Sequence, residues 1–197
     1  MEQTRRERNK QMCRGRILKA SRRLFSTKGY EQTTMEDVAQ RAEVSKATLY
    51  NYFISKESLL LGIAEAELDD IRQLIHEDLA KEPSAVKKLR RVLQSFVLDS
   101  VNYINLCRKI TSLNANPGSE LYHTRVQMLE IFRLLVLEGQ KNGELRSEVN
   151  PDDIVELVMG VYLVSQFHWP NIDTSTAVHC IARLDQCFDR MLAGMLL

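Results

Sequence analysis

Residues 33–60 read Thr33-Thr-Met-Glu-Asp-Val-Ala-Gln-Arg-Ala-Glu-Val-Ser-Lys-Ala-Thr-Leu-Tyr-Asn-Tyr-Phe-Ile-Ser-Lys-Glu-Ser-Leu-Leu60. Three helix starts are written into this stretch. Thr34 has Asp37 three residues on, the spacing of a capping box in which each side chain satisfies the other's backbone N–H. Thr33 with Glu36 would serve nearly as well. Ser45 is a second N-cap, with Val44 before it and Leu49 four positions into the helix, a pair suited to a hydrophobic staple. Ser55 repeats the device with Ile54 and Leu59. Val38, Ala39 and Ala42 fall on one face of the first helix, and Leu49 and Phe53 on one face of the second. Lys46, Ala47, Tyr50 and Asn51 share the opposite face, with Tyr52 at its edge. Two short helices, Thr34–Ala42 and Ser45–Tyr52, joined by a tight turn make a helix-turn-helix over about residues 34–53.

Upstream, Ile17, Leu18, Leu24 and Phe25 line one side of a helix. Gly29 is its expected stop, because glycine adopts a left-handed backbone at little cost, and Tyr30 then reaches back to Phe25. Downstream, the helix begun at Ser55 is expected to run to about Ala80. Breakers at Glu82–Ser84, Asn114–Gly118, Asn142–Gly143, Asn150–Pro151 and Trp169–Asp173 leave helices at about 84–105, 106–115, 119–142, 151–169 and 174–196. No sustained alternation of period two appears, so the chain reads as all-α. Residues 1–60 hold a basic arm and the helix-turn-helix, and residues 61–197 form a larger helical domain.

Charge is divided along the same line. The net of +1 hides 13 basic against 7 acidic residues in 1–60, and 14 against 19 in 61–197. Ten cations lie in the first 28 residues: Arg5, Arg6, Arg8, Lys10, Arg14, Arg16, Lys19, Arg22, Arg23 and Lys28. A basic module on an otherwise acidic chain suits a polyanion, and a flexible basic arm suits phosphates. Apolar residues are 44% and charged residues 27% of the chain, the balance of a soluble globular protein. The most apolar run, Ile154–Trp169, is broken by Glu156, Gly160 and Gln166, so no membrane span is expected. No signal peptide is read, and Cys13, Cys107, Cys180 and Cys187 suit reduced thiols in the cytoplasm.

A helix enters the major groove of DNA only if its leading side chains reach base edges without bulky neighbours. The second helix of the motif meets that condition. Lys46 is a guanine or phosphate donor, Ala47 permits close approach, and Thr48 and Tyr50 carry hydroxyls. Helix N-termini at Thr34, Ser45 and Ser55–Lys56 offer free N–H groups to phosphate. Helix-turn-helix units also occur as plain packing motifs, so two other readings stay open: a helical protein–protein interaction module and an all-α enzyme. The enzyme is the weaker, because there is no glycine-rich phosphate loop, nucleophile elbow or HExxH. His76, His123, His168 and His179 are scattered, so no metal site is expected, and no cofactor is implied.

The run Ile17–Leu60, and in it Ala42-x-Val44-Ser45-x-x-Thr48-Leu49-Tyr50-x-Tyr52-Phe53-x-Ser55-Lys56-Glu57-x-Leu59, resembles the N-terminal domain of the TetR family of bacterial transcriptional regulators. The resemblance implies a homodimeric, ligand-responsive repressor on a near-palindromic DNA operator, released by a small molecule bound in a C-terminal helical domain. By position, Thr34, Tyr50, Tyr52 and Lys56 resemble the family's phosphate contacts, and Lys46, Ala47, Thr48 and Asn51 its base contacts. Glu43 departs from the glycine that many members carry in the turn. The effector, whose identity the sequence leaves open, is expected between helices near Tyr103, Cys107, Tyr122, His123, Gln127, Phe132, Tyr162, Gln166, Phe167 and Trp169. Helix 151–169 is apolar nearly all round, which a small monomer would struggle to cover. It is therefore expected to pair, with helix 174–196, in an isologous four-helix dimer interface, with Val158 and Met191 as candidate seam residues.

Overall fold

The structure is a computed structural model and describes residues 4–167 and 177–195. Within them the chain forms nine α-helices: α1 Arg5–Thr27, α2 Met35–Arg41, α3 Lys46–Tyr52, α4 Lys56–Gln73, α5 Ala85–Asn102, α6 Ile104–Asn114, α7 Tyr122–Lys141, α8 Pro151–Phe167 and α9 Ala177–Leu192. No strand longer than an isolated bridge at Leu145 occurs among the described residues. The all-α expectation holds.

The caps fall where the sequence puts them. The Thr34 hydroxyl accepts from the Asp37 amide at 3.1 Å, and the Thr34 amide donates to the Asp37 carboxylate at 2.8 Å. Ser45 and Ser55 cap α3 and α4 in the same manner, by accepting from Thr48 and Ser58. Gly29 stops α1 at φ +90°, and the Phe25 and Tyr30 rings stand 5.2 Å apart. α2 ends in a Schellman motif, with the Val44 amide donating to the Ala39 carbonyl and the Glu43 amide to that of Gln40. Glu43 therefore takes the left-handed position, at φ +54°.

Three expectations need correction. Ile54 is 80% exposed and makes no staple with Leu59; the extended backbone at Phe53 turns Phe53 into the core and its neighbour out. The basic N-terminus is not a flexible arm from residue 4 onward. A Thr4–Glu7 capping box starts α1 there, and the cations ride on a rigid helix. Finally, α4 does not stay α-helical to Ala80. It widens into a π turn at Leu74–Asp78, where the Leu79 amide donates to the Leu74 carbonyl, and the extra residue turns Leu74, Ile75 and Leu79 toward the core.

Two apolar clusters result. The first joins Ile17 and Phe25 of α1, Val38 of α2, Leu49 of α3, and Leu59, Leu60 and Ile63 of α4, and it also takes Leu106 and Ile110 of α6. The second is built from α5, α7, α8 and α9 around Leu93, Phe132, Val158, Leu184 and Phe188. Gly62 lets α4 cross closely, since a Cβ there would meet Phe53 at 2.8 Å and Leu18 at 3.0 Å. The α1–α2 region is further tied to α5 and α6. Arg22 pairs with Asp99 at 2.9 Å and lies over the Tyr103 ring at 4.6 Å, and Lys109 pairs with Glu31 at 2.8 Å.

Candidate nucleic-acid interface

Leu49 is the one fully buried residue of α3, with Tyr52 partly buried against the same core, so the opposite face of the helix is left outward. Lys46, Ala47, Tyr50 and Asn51 are all exposed on it, as the spacing requires. The Lys46 ammonium rests 2.8 Å from the Glu36 carboxylate of α2, and both side chains are more than half exposed. Such a pair is worth little and opens readily. Thr48 is half-buried and its hydroxyl lies 2.8 Å from that of Ser45, so these two groups are turned on each other at the helix start. Thr34 is likewise committed to its cap.

Lys56 is held differently from the way its position suggests. Its ammonium donates to the carbonyls of Tyr30 at 2.9 Å and Glu31 at 3.3 Å, and it sits over the Tyr30 ring at 4.6 Å. The Tyr30 hydroxyl donates to Glu57 at 2.7 Å, and burial first, with Glu57 second, raises its pKa. Lys56 thus locks the start of α4 to the α1–α2 turn.

Geometry adds residues that the sequence did not single out as sites. Arg6, Asn9 and Lys10 of α1 line a cleft together with Tyr52, so two cations stand beside the C-terminal end of α3. Arg16, Lys19 and Arg23 line a second cleft with Gln40, Arg41 and Glu43, next to the turn of the motif. Their charge was visible in the composition; which of them flank α3 is set by the helical phase of α1.

Nine of the ten residues expected around an effector are described, and they do not come together in one cavity. Tyr162 lines a cavity of about 30 Å³ between α4, α6, α7 and α8. Gln166 lies behind it in a buried network, accepting from Thr111 at 2.8 Å and donating to Ser100 at 3.1 Å and to the Tyr162 oxygen at 2.6 Å. Cys107 is buried on α6 beside this network, and burial raises its pKa. Tyr103 lies under Arg22, outside the cavity. Phe132 is a core residue against Phe96. Tyr122, His123 and Gln127 are exposed, the last bound to Arg72 at 3.0 Å, and Phe167 is 47% exposed. Trp169 falls outside the described residues. The other walls are Glu67 and Leu68 of α4, Phe96 of α5, Asn114 of α6, Thr124, Arg125 and Met128 of α7, and Met159 of α8. The sequence missed them because the seam between α4 and α7 is a tertiary feature that spacing along the chain does not encode. Among the described residues, no cluster of three potential metal ligands occurs and no helix is long and apolar enough to cross a membrane.

Known proteins share this arrangement. The chain is 29% identical over 171 residues to the HTH-type transcriptional regulator YhgD of Bacillus subtilis, covering 81% of this chain and 87% of that protein. It is 24% identical over 153 residues to the HTH-type transcriptional repressor DhaR of Mycobacterium sp. strain GP1, covering 74% of this chain and 76% of that one. The fold matches that of the regulator FadR from Bacillus subtilis, solved in complex with stearoyl-CoA, with a TM-score of 0.75 at 21% identity over 91% of this chain and 97% of that chain. Residues 17–63 match the family model of bacterial regulatory proteins of the tetR family, and residues 84–182 match that of the C-terminal domain of SbtR-like transcriptional regulators. With both the DNA-reading unit and half of the chain's length accounted for, the chain belongs to the TetR family of transcriptional regulators.

Proposed function

We propose that the protein is a cytoplasmic repressor that binds a near-palindromic operator as a homodimer and is released by a small molecule. The observation that carries this reading is the outer face of α3, where Lys46, Ala47, Tyr50 and Asn51 stand exposed on a helix anchored by Leu49 and Tyr52. Lys46 and Asn51 meet base edges, Ala47 allows the backbone close, and Tyr50, Tyr52, Arg6 and Lys10 take phosphates. The working division is a DNA-binding unit over residues 1–60 and an effector and dimerisation unit over 61–197, with α4 running from one into the other.

Dimerisation is supported by an apolar patch on α8 and α9. Leu157 is 48% and Val164 44% exposed, and they form one surface with Gly160, Val161, Cys187, Met191 and Met195. Val158 is fully buried within the protomer, so the expected seam shifts by one residue to Leu157. Effector control is supported by the position of the small cavity. Its walls include α4, which leads from the reading unit, and α6, whose Lys109 holds Glu31 beside the α1–α2 turn. A ligand that separates these helices would shift the two reading heads, a coupling of about 1–3 kcal/mol. Footprinting on the DNA upstream of the protein's own gene should show two half-sites centred about 34–36 Å apart or somewhat more. A single asymmetric half-site would overturn the dimeric reading.

A further inference from the structure

The same cavity has an unbalanced hydrogen-bonding wall. Asn114 is buried at the end of α6, and its side-chain oxygen has no donor among the described residues. Glu67 faces the cavity from α4, and its carboxylate makes no hydrogen bond or close ion pair among the described residues. The protons that the walls could give are mostly spent: Thr111 donates to Gln166, and Thr124 donates to the Leu121 carbonyl at 2.6 Å. A buried acceptor without a donor costs on the order of 1–3 kcal/mol. The site therefore gains most from a molecule that brings N–H or O–H groups.

The apolar walls narrow the class further. The Phe96 and Tyr162 rings lie 5.5 Å apart and tilted, and Met128 and Met159 line the cavity with Leu68, Ile110 and Leu163. Ring faces and thioethers are polarisable and suit a desolvated cation. We infer that the effector site, on the reading that this cavity is that site, takes a compact apolar molecule bearing a primary ammonium group, with Glu67 as counter-ion and Asn114 as the second acceptor. The cavity has room for about one water. Entry displaces Met128 and Met159, whose unbranched side chains rearrange easily. Charged and titratable neighbours are Arg22 from α1, whose charge already favours the Glu67 carboxylate, Asp70 from α4, Asp99 from α5, Cys107 from α6, Arg125 from α7 and Tyr162 from α8. Burial first, and Asp99 second, raise the Glu67 carboxyl to about 7, and an ammonium beside it would favour the ionised form. Arg125 is the one cation on the rim, and it is half-exposed to water.

Three probes of one shape test the assignment: cyclohexylmethylamine, cyclohexylmethanol and cyclohexanecarboxylate. They are titrated calorimetrically into the full-length protein at pH 8, with thermal shift alongside. The amine should bind at least tenfold more tightly than the alcohol, and the carboxylate should not bind. Glu67→Gln should bring the amine to the level of the alcohol. Asn114→Leu should weaken both severalfold, and retained helicity and cooperative melting certify the variants as folded. An equal or tighter carboxylate, amine binding unchanged in Glu67→Gln, or no binding by any probe overturns the inference. Operator affinity is read in the same samples. Amine binding with the operator undisturbed keeps this ligand class and removes the effector reading, whereas release of the operator by the carboxylate does the reverse.

Discussion

Lys46 and Lys56 each follow a capping serine, and as letters they are equivalent. In three dimensions Lys46 faces water beside Glu36, while Lys56 binds two carbonyls of the α1–α2 turn. Lys46→Ala should cost about 1–3 kcal/mol on the cognate site and relax one base position per half-site. Selection on randomised half-sites reads this directly, and unchanged base preferences with uniformly lower affinity would make Lys46 a phosphate contact. Lys56→Ala should instead lower the unfolding free energy read from urea melts, by about 1–2 kcal/mol for the charged hydrogen bonds lost, and an unchanged midpoint would free Lys56 for phosphate. Glu43 was legible as an anomaly, and the structure shows its form. The Schellman stop of α7 places Gly143 at φ +80°, and the same stop on α2 places Glu43 at +54°. A non-glycine residue there carries about 1–2 kcal/mol of backbone strain, against about 0.5–1 kcal/mol of extra chain entropy for glycine. Glu43→Gly should therefore stabilise the protein slightly, by about 0.5–1 kcal/mol in chemical unfolding. A lower midpoint would mean that the carboxylate holds the turn in a way its contacts do not reveal.

Local rules settled the elements wherever the signal was local. Thr34–Asp37, Ser45–Thr48 and Gly29–Tyr30 each act over three or four residues, and each was readable from spacing. Ile54 failed because two adjacent residues in extended backbone point to opposite sides, and Phe53 took the inward place. The helical start at Thr4–Glu7 was written in the sequence too, but the dense basic charge drew the reading toward an arm. What α4 faces was not legible, because its partners α5, α6 and α7 come from distant sequence. Glu67 is the clearest case. Its folded pKa, about 7, lies above the ordinary carboxyl value of 4.5, so the native state binds more protons between those limits. Its contribution to stability is present below the lower limit and lost as pH rises through about 7. Between pH 5 and 8 the wild type should lose stability relative to Glu67→Gln, read as the difference between two pH series of urea melts. Parallel series would mean that water reaches the carboxylate freely.

At the scale of the whole molecule, α8 is apolar nearly all round, and that was visible without coordinates. Which of its apolar residues serve the protomer and which serve a partner was not, because the division depends on how α8 lies against α5, α7 and α9. Val158 and Met159 are spent inside the protomer, while Leu157 and Val164 are left outside. Leu157→Glu is therefore the informative change. It places a charge on the patch without disturbing the core, so helicity and cooperative melting of the protomer should persist. If the patch is the seam, two carboxylates would be buried together at the two-fold axis, and association should fail. Sedimentation at micromolar concentration should then show a monomer. DNA binding should fall much further than any loss at α3 explains, because one dimer presents two heads and the second binds at the high local concentration set by the first. That advantage is commonly a factor of about 100–10,000, and the monomer loses it. Binding to an isolated half-site should be unchanged by Leu157→Glu, which separates loss of pairing from damage to the reading helix. A variant that still sediments as a dimer would move the interface away from this face of α8, and the exposed Leu157 and Val164 would then need another partner.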